Sequence, residues 1–193
     1  MMNYLVVFMH PTKDSFNGSI LESVVATIKD KKAEVRIRNL AEQSFHPHLS
    51  REEYEESYQR YYKTDVVKEQ DFIKWADHII FIFPVWWGGF PAIGKGFIDR
   101  VFSFGFAYEL EGENPIPKLV CKKASLLYTT GAPKEEFENS GMNEAMLRLI
   151  DQSILQFCGL SLHGSLHFGN VIQGTDLERK NMLIDTIDFI NTI

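Results

Sequence analysis

The chain has 193 residues, of which 45% are hydrophobic and 24% charged, and its formal net charge is −6. These proportions are typical of a globular protein, and the length fits one domain, residues 1–193. The acidic balance and the lack of a basic stripe argue against nucleic acid as a partner. The N-terminus lacks the basic region of a signal peptide, and no apolar run approaches the roughly 20 residues of a membrane span, so we expect a cytoplasmic protein.

The first part of the chain predicts two strands and two helices. A continuous apolar run predicts a buried strand at residues 4–9, and helical periodicity follows at 18–28 after a polar, proline-containing loop. Alternating charged and apolar residues predict a strand nearer an edge at 34–39, and residues 66–76 predict the second helix. The charged, tyrosine-rich stretch 51–63 predicts a solvated surface, whose tyrosines can contact another subunit or protein.

A third strand, an aromatic loop and a helix follow in close succession. The apolar run 79–83 predicts a strand that is covered on both faces, and Pro84 ends its hydrogen-bonding ladder. Trp86 and Trp87 lie in the glycine- and proline-broken loop that leads to a helix from Ala92. Ligands of open α/β sheets bind beyond the carboxyl ends of the strands, so the two indoles are placed to stack on a flat ligand. The alternatives are that they cap the core or fill a dimer interface.

The second half of the chain continues the alternation of strands and helices. Its pattern predicts a strand at 123–130, a polar loop at 135–140, an amphipathic helix at 142–157, a strand at 160–168 and a final helix at 176–193. The strand at 123–130 ends in a small, hydroxyl-bearing turn, where a glycine lets the backbone approach a ligand closely.

Histidines and cysteines give no indication of a metal site. His46 and His48 resemble a ligand pair, but no third ligand lies near them in the sequence, and the two cysteines lack metal-ligand spacing. His163 and His167 lie four residues apart on a predicted strand, which would place both side chains on one face of the sheet. We therefore interpret them as ordinary half-buried histidines and expect no metal.

Five strands that alternate with helices predict an α/β fold, namely a flavodoxin-like, doubly wound five-stranded parallel sheet in the order 2-1-3-4-5. In this order strands one, three and four are neighbours. The loops that follow them therefore converge on one mouth, that is, one binding cleft, at the switch point of the sheet. Such a mouth suits a flat, phosphate-bearing ligand, because the amino end of the first helix can bind phosphate.

The three loops and the segments around them resemble the flavodoxin-like NAD(P)H:quinone oxidoreductase family, which includes DT-diaphorase and the ancillary quinone reductases of bacterial potassium-efflux systems. The resemblance covers nearly the whole chain and is carried by the following residues: His10, Ser15, Phe16 and Asn17; Phe83, Pro84, Trp87, Pro91, Lys95 and Gly96; Val101, Phe102, Gly105, Phe106, Ala107 and Tyr108; Thr129, Thr130 and Gly131; Phe157, Cys158 and Gly159.

The resemblance implies a flavin, FMN or FAD, with NAD(P)H as co-substrate and a quinone-like small molecule as acceptor. The implied flavin-binding residues are His10, Ser15, Phe16 and Asn17 for phosphate or ribityl, Pro84, Val85, Trp86 and Trp87 for the ring, and Thr129, Thr130, Gly131 and Ala132 for its N1/O2 region. The expected substrate slot consists of Trp87, Phe106, Phe137 and Asn143. No residue is assigned a catalytic role, since the flavin carries the chemistry.

The chain departs from the mammalian members of this family at a pair of residues. Where they carry a Tyr and a His that relay charge, this chain has Phe137 and Asn143. Negative charge at flavin N1/O2 would then rest on fixed donors, which predicts a rate of flavin reduction that is nearly flat from about pH 6 to 8. The long C-terminal extension of those enzymes is also absent, which leaves FMN and FAD both open.

Three further expectations concern assembly and the role of the protein. The aromatic content around Trp86, Trp87, Phe90, Phe104 and Phe106 predicts a homodimer with the active site near the subunit boundary. A second hypothesis is a regulatory flavoprotein subunit of a membrane transport system that docks through the stretch 51–63. A third is a one-electron carrier of the flavodoxin type.

Overall fold

The structure is a computed structural model that describes residues 2–42 and 45–193. In chain order its elements are β1 (Asn3–Phe8), α1 (Phe16–Asp30), β2 (Glu34–Asn39), α2 (Arg51–Ser57), α3 (Thr64–Trp75), β3 (His78–Pro84), α4 (Ala92–Val101), β4 (Tyr108–Glu111), β5 (Asn114–Pro117), β6 (Lys123–Thr129), α5 (Lys134–Asn139), α6 (Met142–Ile150), a π-helical segment (Asp151–Gln156), β7 (Ser161–Phe168) and α7 (Asp176–Asn191).

The five long strands form one parallel sheet in the order β2-β1-β3-β6-β7. This is the order 2-1-3-4-5 of the main strands, so the predicted topology is confirmed. Every residue of β3 is buried, since β3 is the central strand and helices cover both of its faces. The continuous apolar run at 79–83 reflects that position, because a strand covered on both faces has no solvated side.

Helices pack on the two faces of the sheet and divide the core into two clusters. On one face, α1 contributes Ile20, Val24 and Ile28, and α7 contributes Ile190. On the other face lie Ile73 of α3, Phe97 and Val101 of α4, and Met146 and Ile150 of α6. The arrangement leaves the carboxyl ends of β1, β3 and β6 beside one another at one edge of the sheet.

The polar stretch 135–140 is helical, so its prediction as a loop was wrong. It belongs to α5, which begins after Pro133 and has Glu135 and Glu136 in its first turn. Acidic residues there favour a helix through the macrodipole. None of the six residues of α5 is buried, which is why no apolar period marks it in the sequence.

Two further elements differ from the sequence prediction. The helix predicted at 142–157 ends as regular α-helix at Ile150 and continues as a π-helical segment. The antiparallel hairpin of β4 and β5 was not predicted, because its strands have four residues each and β5 contains two prolines.

The stretch 51–63 is more than a solvated surface. Glu53 of α2 is buried, and Arg100 of α4 donates a 2.9 Å hydrogen bond from Nε to its Oε1. The same guanidinium bonds Asp65 Oδ2 at 2.8 Å from Nη1. Removing one partner would leave a buried charge uncompensated, so these ion pairs fix α2 and α3 against α4. The outer side of α2 still exposes Tyr54 and Tyr58.

His163 and His167 lie on opposite faces of the sheet, so the prediction that they share one face was wrong. The pairing of β6 with β7 shifts between Ala124 and Ser125, and His163 is the extra residue in β7. Its ring contacts His78 and Phe189, whereas the ring of His167 contacts Tyr128 on the other face. His163 is exposed and His167 is buried, so neither is half-buried.

No helix among residues 2–42 and 45–193 combines the length and the apolar character that crossing a membrane requires.

Candidate active site

The loop between β1 and α1 presents the amino end of a helix. Ser15 is the N-cap of α1, and its hydroxyl accepts a 3.2 Å hydrogen bond from the N–H of Gly18. A side chain on Gly18 would place Cβ 1.8 Å from the carbonyl oxygen of Lys13, so the tight loop requires glycine there. Within the described chain the N–H groups of Phe16 and Asn17 have no hydrogen-bond partner. They are available to an anion at the positive end of the helix dipole.

The loop after β3 holds an indole clear of the protein. Trp86 and Gly89 exchange two backbone hydrogen bonds of 3.1 and 3.2 Å, and the two residues between them have positive φ, +52° at Trp87 and +79° at Gly88. Positive φ at both central positions is typical of a type I′ turn, the tight connection of a hairpin. Trp87 is fully exposed at the tip, and Trp86 is 46% exposed. The alternative that these tryptophans cap the core is therefore wrong.

The loop after β6 exposes main chain next to buried hydroxyls. Thr129 and Thr130 are buried, whereas Gly131 and Ala132 are exposed. Thr130 Oγ1 donates a 2.9 Å hydrogen bond to the carbonyl oxygen of Ala132, which fixes the turn. Thr129 Oγ1 accepts a 2.8 Å hydrogen bond from Asn17 Nδ2.

Direct contacts join the three loops into one site. His10 follows β1, and its ring centroid lies 6.3 Å from that of Trp86 in the loop after β3. The N–H of Val85 donates a 2.8 Å hydrogen bond to the carbonyl oxygen of Thr129, which links the loops after β3 and β6. The bond between Asn17 and Thr129 links the first and third loops. The convergence that the strand order predicts is thus present.

The site fits a ligand that is both polar and planar. Asn17 Oδ1 is buried and has no partner among the described residues, although an unpaired buried acceptor costs roughly 1–3 kcal/mol. A bound ligand with a donor group would satisfy it. The free N–H groups of α1 suit a phosphate, and the exposed indole offers a flat apolar face. The residues present therefore fit a flavin.

Two of the residues expected in the substrate slot lie next to this site. Asn143 Oδ1 accepts a 2.6 Å hydrogen bond from the hydroxyl of Tyr128, at the end of β6. Phe137 packs edge-on against the ring of His167, with centroids 5.3 Å apart. Burial raises the pKa of Tyr128 to about 12, so its hydroxyl stays protonated and donates to Asn143 throughout the neutral range.

Phe106 does not reach the site, and its assignment to the substrate slot is corrected. Its ring lies 5.7 Å from Lys74 Nζ, near the carboxyl end of α3 and thus at the amino edge of the sheet. The helix α4 starts at the site and runs to the opposite edge, and Phe106 follows its end. Tyr108, two residues further along, lines a groove together with Ile98 and Phe102.

Sequence reasoning missed the position of His167 relative to the third loop. Its Nε2 lies 2.9 Å from Thr130 Oγ1, its Nδ1 lies 3.7 Å from Glu138 Oε1, and its ring stacks on Tyr128 at 5.0 Å. Burial, the largest cause, and Lys134 lower the pKa of His167 against the opposing effect of Glu138. Gly164 was the available signal, since glycine within a strand often marks the kind of irregularity that changes which face a side chain occupies.

An apolar groove of about 510 Å³ adjoins the aromatic loop. It runs between α4 on one side and α6 with the π-helical segment on the other. Its lining includes Gly88, Phe90, Ile98, Phe102, Leu149 and Phe157. Leu149 is 63% exposed although it is apolar, so this side of the molecule presents hydrophobic surface to its surroundings.

The chain matches the family model described as a flavodoxin-like fold over residues 2–184. An NAD(P)H oxidoreductase of Haemophilus influenzae is 32% identical over 183 residues, which cover 94% of this chain and 91% of that protein. The ribosyldihydronicotinamide dehydrogenase (quinone) of Rattus norvegicus is 30% identical, over 98% of this chain and 90% of the relative. The solved structure of an NAD(P)H:quinone oxidoreductase from Methanothermobacter marburgensis has a TM-score of 0.86 at 27% identity, and the match covers 99% of this chain and 95% of that chain.

Proposed function

The chain belongs to the family with the flavodoxin-like fold and is an oxidoreductase, and we propose that it transfers hydride from NAD(P)H through a bound flavin to quinones or similar flat acceptors. The observation that carries this proposal is the convergence of the three loops. They offer a helix amino end, an exposed indole and a hydroxyl-lined turn at one edge of the sheet. Each matches one part of a flavin nucleotide: phosphate, ring and pyrimidine edge.

A flavin held at this site, FMN or FAD, would supply the two-electron redox chemistry that links NAD(P)H to the acceptor. The first loop would hold the phosphate or ribityl chain through the N–H groups of Phe16 and Asn17 and through Ser15 and His10. Residues 84–87 would flank the ring. In the turn 129–132 the N–H groups of Gly131 and Ala132 would donate to its N1/O2 edge, since the N–H of Thr130 already donates to the carbonyl oxygen of Phe168. These donors are held in place before the reaction, so they stabilise developing negative charge without reorganising.

Nicotinamide and acceptor use the same slot in turn. Trp87 forms one wall, and Phe137 with Asn143 forms the part near the third loop. The exposed ring of Trp87 suits the planar groups of both substrates, since stacked aromatic pairs gain roughly 0.5–1.5 kcal/mol beyond area burial. No covalent nucleophile takes part. The proposal includes a cytoplasmic location, where NAD(P)H is available.

The proposal also includes a homodimer. The apolar groove between α4 and α6 begins at Gly88, directly after Trp87, so a second copy on this face would lie beside the substrate slot. Such a copy would cover Leu149 and complete the slot from outside.

The test is the visible spectrum of the purified protein, followed by chromatography of the released cofactor and by stopped-flow reduction. We expect a yellow protein that releases FMN or FAD, is reduced by NADH or NADPH, and is reoxidised by a quinone in a two-electron step. A colourless protein that binds neither flavin would refute the proposal. Accumulation of a stable one-electron reduced form would favour the carrier of the flavodoxin type instead.

A further inference from the structure

The hydroxyl of Thr130 determines which nitrogen of His167 carries a proton. This hydroxyl has a single hydrogen, and it donates that hydrogen to the carbonyl oxygen of Ala132 at 2.9 Å. His167 Nε2 lies 2.9 Å from Thr130 Oγ1, and with the Thr130 hydrogen directed at Ala132 it is Nε2 that donates to this hydroxyl oxygen. In the neutral ring the other nitrogen, Nδ1, is therefore an unprotonated acceptor.

His167 Nδ1 is buried and can accept one proton. It has no hydrogen-bond partner in the described part of the chain. It lies 3.7 Å from Glu138 Oε1, and the His167 side chain is 3% exposed, whereas that of Glu138 is 41% exposed. A proton at Nδ1 would form an ion pair with this carboxylate, and Glu138 connects the buried ring to solvent.

The groups that act on His167 come from two elements. Glu138 of α5 favours the charged ring, Lys134 of α5 disfavours it, and Tyr128 of β6 is neutral below its pKa of about 12. Together with burial they keep the imidazole neutral near pH 7 in the absence of further charge. A new negative charge near Thr130 would add to that of Glu138. The two charges together would favour the imidazolium form of His167 over the neutral ring.

We propose that His167 takes up a proton at Nδ1 while the site is reduced and acts as a positioning residue through Thr130; this rests on the proposed function. A quinone needs two electrons and two protons to leave as hydroquinone, whereas hydride from NAD(P)H supplies two electrons and one proton. A proton enters from solvent past Glu138 and converts His167 to its imidazolium form while the site holds the electrons. When the acceptor leaves as hydroquinone, with its second proton taken from solvent, His167 gives its own proton back past Glu138 and returns to the neutral form.

Neither Phe137 nor Asn143 carries a group that can titrate near neutral pH. The ring of Phe137 packs against that of His167 from β7, with the ring centroids 5.3 Å apart. If only fixed donors stabilised the negative charge, the rate of flavin reduction would not depend on pH. A histidine next to the third loop predicts that proton uptake accompanies reduction.

The experiment measures the flavin midpoint potential of the holoenzyme from about pH 6 to 8 for wild type, His167→Gln and His163→Gln. One linked proton contributes about 30 mV per pH unit to a two-electron couple. We expect the His167→Gln slope to be shallower than wild type by that amount. The single-turnover rate of flavin reduction should depend on pH in wild type, contrary to the expectation from fixed donors, and should be nearly flat in His167→Gln. His163→Gln, on the opposite face of the same strand, should keep the wild-type slope.

A measurement on the wild type makes the test independent of how the variant folds. Isotope-labelled histidine NMR of the holoenzyme near pH 7 should show His167 neutral before reduction by NAD(P)H and doubly protonated after it. An unchanged His167 resonance, or a His167→Gln slope equal to wild type with flavin still bound, would overturn the inference and leave the proposed function intact. Wild-type protein without flavin would instead refute the proposed function.

Discussion

Asn17 Nδ2 donates a 2.8 Å hydrogen bond to Thr129 Oγ1, and both side chains are buried. The bond joins the first turn of α1 to the last residue of β6, and β3 lies between the two strands that lead to these residues. It therefore holds the first and third loops at a fixed separation beneath the site. A ligand that spans both loops depends on this separation.

Thr129→Val should lower both stability and flavin retention. Valine keeps the shape but removes the hydroxyl, so the Asn17 amide loses its remaining partner at a cost of about 1–3 kcal/mol. Urea unfolding measures the first effect, and the flavin-to-protein ratio after gel filtration measures the second. Thr129→Ser keeps the hydroxyl and should behave like wild type. Equal stability and flavin content in both variants would show that the bond has no such role.

The sequence predicted the strands and loops of the site because their signals are local. A strand covered on both faces has a continuous apolar run, as β3 has at residues 79–83, and the alternation with helices then predicts a doubly wound parallel sheet, of which 2-1-3-4-5 is a common order. The position of His167, in contrast, does not follow from a local signal alone. It depends on one extra residue in β7, His163, whose effect on the pairing register is invisible without the neighbouring strand. The exposure of Trp87 likewise depends on turn geometry that the sequence only suggests.

Trp87→Ala should weaken binding without loss of stability. The side chain is fully exposed and buries nothing in the core, so the free energy of unfolding should stay near the wild-type value. Loss of a stacking surface worth roughly 0.5–1.5 kcal/mol should raise the KM for quinone, or the Kd for flavin, by roughly 2- to 13-fold. Steady-state kinetics and flavin titration of the apoprotein measure these changes.

Trp87→Phe is the matched variant, because it keeps an aromatic ring at the same positive φ. It should recover most of the loss. Kinetics and flavin affinity that remain unchanged in Trp87→Ala would contradict a role for this indole in the slot.

Leu149→Glu should convert the expected homodimer to monomer. Leu149 lines the apolar groove and is 63% exposed, so a carboxylate there would be buried without a partner if a second copy covered it. Sedimentation at micromolar concentration should give twice the chain mass of 22.3 kDa for wild type and one chain mass for the variant. Leu177→Glu, equally exposed but on α7, should remain dimeric. A wild-type monomer with full activity would refute the dimer.

Stability should fall as the pH drops below about 6.5, and His78 should be a main cause. The ring is buried in β3, with Nε2 2.8 Å from Ser125 Oγ. Burial lowers the pKa of His78 to about 4, and the nearby His163, Lys123 and Lys31 add to the shift. Between the unfolded pKa of about 6.5 and the folded value, only the unfolded chain binds the proton, so the free energy of unfolding decreases with falling pH. One unit of pKa shift is worth about 1.4 kcal/mol, which gives a total loss of about 3 kcal/mol by pH 4.

His78→Gln keeps a polar side chain but cannot take up this proton. Its free energy of unfolding should therefore depend less steeply on pH between about 6.5 and 4, whatever its absolute stability. Urea unfolding at several pH values gives both slopes, and His48→Gln, at an exposed position, should retain the wild-type slope. The buried His167 has a lowered pKa for the same reason, so part of the pH dependence should persist in His78→Gln. Identical slopes for wild type and His78→Gln would mean that the buried ring of His78 is not what makes the fold sensitive to acid.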